Sequence, residues 1–269
     1  MSSPTLPPRR VEAQYLLDVA AILPGRYLTG ASATAGPTPT VVLLSEDTPP
    51  TYPFVTDNRP KSRRKPPSPT ITSYRIHHWS DEWLVEVDIV PKSRPVHYYH
   101  AEPFGTDSWL LHGYAPAIYG PDGQFLTDFP IDGEALHLQT TPDGTRAWVG
   151  YTADHNRPAG SLADAGLLCF NRDGSHTFAF NTIIDHAPHF LPYMLHCDAL
   201  NVADDRMVWV FHTDGRPPTL VLLVERHLES VWRLSAIPAC RTFAIHRRRL
   251  LCGGGYAVPL HLSLVSLDD

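Results

Sequence analysis

A chain of 269 residues with 43% apolar and 19% charged residues has the composition of a packed globular protein rather than a disordered one. Its formal net charge of −6 argues against general binding to nucleic acid, whose affinity comes largely from phosphate neutralisation. No window approaches the roughly 20 apolar residues of a membrane span, and the 27 prolines favour turns and sheet edges over long helices.

In chain order, Arg9-Arg10 precedes an apolar run at 15–23, the outline of an export signal. Asp18 interrupts the run and no small-residue cleavage site closes it, so it reads as a first strand. Further strand patterns follow at 26–32, 40–45, 74–80 and 82–90, more than one four-stranded unit needs. Nine prolines lie between Pro37 and Pro69, together with the basic cluster Lys61-Ser-Arg-Arg-Lys65. This stretch, about 46–70, predicts a solvated insertion, and Lys61, Arg63, Arg64 and Lys65 are its candidate docking residues for an acidic partner. The units after it span 95–132, 134–183, 196–236 and 240–267. The last shows three strands only, at 241–246, 250–256 and 261–267. Inside the third unit, the loop 153–164 carries His155, a further candidate partner contact.

The later units are repeats of one another. Residues 135–152 align without a gap on 196–213, so that Trp148-Val149 falls on Trp209-Val210 and Asp143-Gly144 on Asp204-Asp205 at an offset of 61. Residues 167–180 align on 221–234 at an offset of 54, and Asp122-Gly123 falls on Asp173-Gly174. One unit is therefore strand, tight turn, strand, variable loop, strand, Asp-Gly turn, strand: a four-stranded meander, the blade of a β-propeller. The expectation is one all-β domain over residues 1–269 with five or six blades. The segment around Arg10–Ala13 would supply the missing strand of the last blade and so close the ring.

Thr140-Thr-Pro-Asp-Gly-Thr-Arg-Ala-Trp-Val149 resembles the strand-turn-strand core of the β-propeller superfamily, of WD40 and NHL-like type, and of bacterial propeller-like proteins of unassigned function. The resemblance extends over residues 95–267. It implies the fold and carries over no catalytic residue, since propellers host scaffolds, lectins and hydrolases alike.

Candidate chemistry is sparse. No H-E-x-x-H or G-x-S-x-G occurs among the residues, fifteen histidines included. His97 and His100 would point to opposite faces of a strand, and His186 and His189 form a loop pair. Gly253-Gly-Gly255 lies in a strand pattern and reads as a bulge. Arg247-Arg-Arg249 reads as a solvated turn. The first strand of each blade lines the central channel, and the offset of 61 puts His137 over Asp198, with Tyr99, Cys240 and Leu17 or Asp18 at the same level. Glu134 and His196 lie one step away. His137, Asp198, Glu134 and His196 are thus the candidate ligands of a divalent metal of the zinc or manganese kind. Trp148, Trp209 and Trp232 read as core, and Trp79, Trp83 and Trp109 as candidates for a sugar or peptide surface. Four cysteines without a C-x-x-C pair read as reduced thiols of a cytoplasmic protein. The leading expectation is a non-catalytic propeller without cofactor that binds a protein through its loop-bearing face. The alternatives are a metal-dependent hydrolase or lactonase working in the channel, and a carbohydrate-binding lectin.

Overall fold

The computed structural model describes residues 27–33, 41–46, 74–80, 83–89, 98–113, 116–131, 135–152, 160–186, 191–214, 217–235, 237, 239–246, 248–254 and 262–267. They form nineteen strands in five antiparallel meanders. Sheet one runs β1 (Tyr27–Ala33), β2 (Val41–Glu46), β3 (Tyr74–Ser80), β4 (Trp83–Ile89). Sheet two runs β5 (Tyr98–Pro103), β6 (Trp109–Gly113), β7 (Ala117–Tyr119), β8 (Phe125–Asp128). Sheet three follows with β9 (Ala135–Thr140), β10 (Arg146–Tyr151), β11 (Leu167–Asn171), β12 (His176–Ala179). Sheet four holds β13 (Ala199–Val202), β14 (Met207–His212), β15 (Thr219–Val224), β16 (His227–Arg233). Sheet five has three strands, β17 (Thr242–His246), β18 (Arg249–Gly253), β19 (Leu262–Ser266). Successive sheets meet along their first strands: β1 lies beside β5, β5 beside β9, β9 beside β13 and β13 beside β17. This is a propeller-like arrangement of blades.

Each junction between sheets is an apolar layer, because the middle strands are apolar on both faces. In β10, Ala147, Val149 and Tyr151 pack with Leu110 and Ile118 of sheet two, while Trp148 packs the other way with Val208, Val210 and Val221 of sheet four. Trp209 repeats the role one sheet later, packing with Phe243 and Leu250 of sheet five. Leu110, which the repeat equates with Trp148, faces sheet three in the same sense. Trp209 is only half-buried and stacks on Trp232 at 5.4 Å between ring centroids.

The expected units two to five coincide with sheets two to five. Of the first unit, which also held the apolar run at 15–23, the described residues form one four-stranded sheet. That run lies outside the described residues, as do Arg10–Ala13 and the cluster 61–65. Two short helices were not anticipated: a 3₁₀ turn at Leu162–Ala165, capped by Ser161, and another at Phe180–His186. At four and seven residues, both are too brief to show helical periodicity.

The tight turns lock each sheet to the one before it. Gly144, at φ +64°, sits where a Cβ would stand 2.0 Å from the backbone nitrogen of Gly105 in the β5–β6 turn. Gly123, at φ +78°, approaches the carbonyl of Asp88 at the end of β4 so closely that a Cβ would be 1.8 Å away. Only glycine permits both the left-handed backbone and the contact. The Asp of each turn accepts from the N–H two residues on: Asp143 from Thr145 at 2.9 Å, Asp173 from Ser175 at 2.9 Å, Asp204 from Arg206 at 2.8 Å. These turns are the physical content of the Asp-Gly repeat.

Replacing Trp148 by Ala should cost about 3–5 kcal/mol in chemical denaturation, the usual penalty for emptying a large aromatic site in a packed core. Trp209→Ala should cost clearly less, since that ring is half in solvent. Equal losses would mean that the two rings are not graded by burial.

Candidate functional site at the loop-bearing face

In a meander, the turns joining strands one to two and three to four leave from one face, and all other connections from the other. The first face carries the interlocked turns at 104–108, 120–124, 141–145, 171–175 and 203–206. The second face receives the strand ends that bound 47–73, 152–166 and 180–198, the long connections.

Three of the four proposed metal ligands meet on this second face, between sheets three and four, and each is bound internally. His137 on β9 donates from Nε2 to the backbone oxygen of Asp198 at 2.9 Å, not to its carboxylate. The Asp198 carboxylate accepts from the Thr213 N–H at 2.7 Å and its hydroxyl at 2.8 Å. His196 pairs its Nδ1 with the Thr152 hydroxyl at 2.7 Å. Glu134 lies outside the described residues, as does His155. Among the described residues, no three His, Cys, Asp or Glu side chains gather so as to hold a metal ion. The reading of the ring also needs a correction. The ladder pairs His137 with Gly150 and Ala199 with Phe211, so His137 is equivalent to Ala199, an offset of 62 and not 61. The β9–β10 turn is one residue longer than the β13–β14 turn, and an ungapped alignment cannot show this.

That same register reveals a device that the repeat did not disclose. Gln139 and Asn201 occupy equivalent positions, paired with Trp148 and Trp209 respectively. Each reaches the first strand of the next sheet: Gln139 Oε1 accepts from the Val202 N–H at 2.7 Å, and Asn201 Nδ2 donates to the Phe243 oxygen at 3.2 Å. Glu102, paired with Leu110, holds the same position in sheet two and accepts from His100 Nε2 at 2.8 Å.

The most distinctive feature of this face is the stretch 191–198. Leu191, Met194 and Cys197 are buried, whereas Tyr193 and Leu195 are 55% and 53% exposed. The backbone is held at each residue from Met194 to Cys197. Asn181 accepts from the Met194 N–H at 2.9 Å and donates back to its oxygen at 3.0 Å. Asp214 Oδ2 accepts from the N–H groups of Leu195 at 2.6 Å and His196 at 2.8 Å, and the Cys197 N–H donates to the Tyr151 oxygen at 2.8 Å. Burial pushes the Asp214 carboxyl up, but the buried His212 ring 3.6 Å away and the two amides outweigh it and hold it below the usual carboxylate range. Asp198, buried with two donors only, is pushed up.

Of the remaining candidates, Trp109 is buried against sheet one, edge-on to His78 at 5.2 Å, and presents no sugar platform. Trp79 and Trp83 lie on β3 and β4. His97, His189 and Arg247 lie outside the described residues, and Gly253 ends β18 as a regular strand residue. No helix among the described residues is long and apolar enough to cross a membrane.

No protein-family model matches the chain, and no curated protein does. Among solved structures it is similar to the Neurospora crassa Pan2 WD40 domain at 10% identity and a TM-score of 0.46, covering 91% of this chain and 65% of that one. It is also similar to HIRA (644–1017) at 8% identity and a TM-score of 0.40, covering 77% and 54%. Kuenenia stuttgartiensis hydrazine synthase is similar at 6% identity and a TM-score of 0.40, covering 75% and 65%. The chain thus spans between 54% and 65% of the length of these proteins. The propeller-like fold rests on the five sheets themselves.

Burial pushes His112 and His137 down to about 4, against the hydrogen bonds they donate to the Ala135 and Asp198 oxygens. Both rings are neutral in the folded protein at pH 7. Below about 6.5 the unfolded chain takes up protons that the folded chain refuses. Stability should therefore fall as the pH drops from about 6.5 to about 4, read as a declining urea midpoint. A His112→Gln, His137→Gln double variant should flatten this slope, and an unchanged slope would mean that other groups set it.

Proposed function

We propose that the five sheets are the blades of a non-catalytic propeller that binds a protein partner through its loop-bearing face. The observation that carries this reading is the pairing of two exposed apolar side chains, Tyr193 and Leu195, with a backbone immobilised by Asn181 and Asp214. Apolar side chains on a mobile loop lose backbone as well as side-chain entropy when they dock, whereas those on a fixed backbone lose only the side-chain part. Tyrosine on a rigid support is the chemistry of an interface anchor. The polar groups beneath the stretch are engaged in holding it, with His196, Asp198 and Asp214 all bound to neighbouring backbone or hydroxyl groups.

The insertion bearing Lys61, Arg63, Arg64 and Lys65 joins β2 to β3, whose ends open on this same face. A partner with an acidic border around an apolar pocket would satisfy both features, the charges steering encounter and the anchors holding the complex.

A partner isolated with the wild-type protein should bind Tyr193→Ala or Leu195→Ala roughly 30-fold more weakly, about 2 kcal/mol each, as hot-spot truncations do. Leu126→Ala, an equally exposed leucine on β8, should leave binding unchanged. Both anchor variants should melt with the wild type, because neither side chain is in the core. Wild-type affinity in the two anchor variants, measured by titration calorimetry, would refute the reading.

A further inference from the structure

The β17–β18 hairpin brings two of the four cysteines to one face. In a regular strand, Cys240 would fall on the side of Thr242 and opposite Phe243. The ladder pairs Thr242 with Gly253 and Phe243 with Cys252, and the Arg241 N–H also donates to the Gly253 oxygen, at 3.2 Å. Arg241 and Thr242 thus oppose one residue, the two-against-one of a β-bulge. Burial records the result: Arg241 and Thr242 are exposed, whereas Cys240 and Phe243 on either side of them are buried. On β18, Leu250 and Cys252 are buried and Leu251 between them is exposed. The extra residue therefore turns Cys240 to the face that carries Cys252, and both join Phe243 and Leu250 in one apolar layer.

Within that layer the two thiols touch. Cys240 Sγ donates to the Thr242 oxygen at 3.1 Å and lies in hydrogen-bond contact with the Cys252 thiol. Cys252, as donor to Cys240, holds the Cys240 thiol below its ordinary value against the opposing effect of burial. The same bond, together with burial, pushes the Cys252 thiol up. The pair is unequal: Cys240 ionises first, and Cys252 keeps its proton. Cys169 and Cys197 pack in a different layer, between sheets three and four, and burial pushes both of their thiols up.

We propose that Cys240 and Cys252 are a redox modification site, a dithiol that closes reversibly into a disulfide. A disulfide forms between cysteines whose side chains already face each other at close range, as these do. Exposures of 1% and 3% exclude bulky disulfide oxidants and leave the small hydroperoxides as the oxidant class. The Cys240 thiolate attacks the O–O bond, takes one oxygen as a sulfenic acid and releases an alkoxide or hydroxide, which picks up a proton from solvent. The Cys252 sulfur then attacks the Cys240 sulfur. The S–S bond forms, the S–O bond breaks, and the hydroxyl leaves with the Cys252 proton as water. Two thiols and one hydroperoxide give one disulfide, one water and one alcohol, or a second water from hydrogen peroxide. The sulfurs lose two electrons and the peroxide gains them. The bond ties the entry of β17 to β18 beside Phe243, whose oxygen accepts from Asn201 of sheet four, so the change of state falls at the junction of sheets four and five. It does not rest on the partner site.

The test is treatment of the full chain with equimolar hydrogen peroxide, followed by non-reducing peptide mapping. Peptides holding Cys240 and Cys252 should appear linked, lighter by the mass of two hydrogen atoms, and should separate again with dithiothreitol. This link should form at least about ten-fold faster than oxidation at Cys169 or Cys197, whose thiols are less ionised. The oxidised chain should also show a higher urea midpoint, since the bond restricts the unfolded state. In a Cys252→Ala variant, dimedone should trap a sulfenic acid on Cys240; in Cys240→Ala, Cys252 should stay unmodified. The wild-type map stands even where a variant folds poorly. Sulfinic acid on Cys240 with Cys252 still reduced would overturn the proposal, as would links between chains only, or thiols that oxidise only after denaturation.

Discussion

The arrangement depends on polar bonds that cross from the first strand of one sheet to the first strand of the next. A first strand has a ladder partner on one side only, and its other backbone groups face the centre of the assembly, where an unmet N–H or C=O costs free energy. Gln139 meets the Val202 N–H, Asn201 meets the Phe243 oxygen, and His137 meets the Asp198 oxygen. The apolar layers between sheets supply most of the attraction, but apolar contact is non-directional and tolerates sliding. The side chains of Gln139 and Asn201 remove that freedom, because a shift of one residue would break the bond and turn the amide to the wrong face.

With the register set at the centre, the interlocked turns set the order of packing on one face. Gly144 against Gly105 and Gly123 against Asp88 make each sheet lean on its predecessor, and the Asp205 carboxylate accepts from the Asp143 N–H at 2.9 Å to continue the chain of contacts. That face is consumed by its own packing. The opposite face is left to the long connections, and there the structure spends Asp214 and Asn181 on holding a short irregular stretch still.

Much of the fold was legible because the repeat has physical causes that leave marks in composition. Asp-Gly turns need a left-handed residue after a capping carboxylate, and second strands buried on both faces must be apolar throughout, so Asp143-Gly144 and Trp148-Val149 stand out. What was not legible follows from the same physics. A turn longer by one residue leaves no trace in an ungapped match, yet it moved the equivalence of His137 from Asp198 to Ala199. Gln139 and Asn201 were passed over because amides in strands carry no chemical signature until their partners are known. Residues 191–198 have no periodicity, and only Asn181 and Asp214, 10 or more residues away at either end, show why they are ordered. The retrievable signal for the first-strand device was the polar residue that the ladder sets opposite each Trp or its equivalent.

The central claim, that side chains crossing between first strands fix the register of the sheets, is tested most directly by residue-resolved hydrogen exchange at the Val202 amide. In wild type this amide should exchange only through large-scale opening. In a Gln139→Leu variant, which keeps the volume but removes the acceptor, it should exchange by local fluctuation, while the amides of Val208 and Val210 on β14 stay protected. Unchanged protection of Val202 in that variant would contradict the account, since the sheets would then keep their register through apolar packing alone.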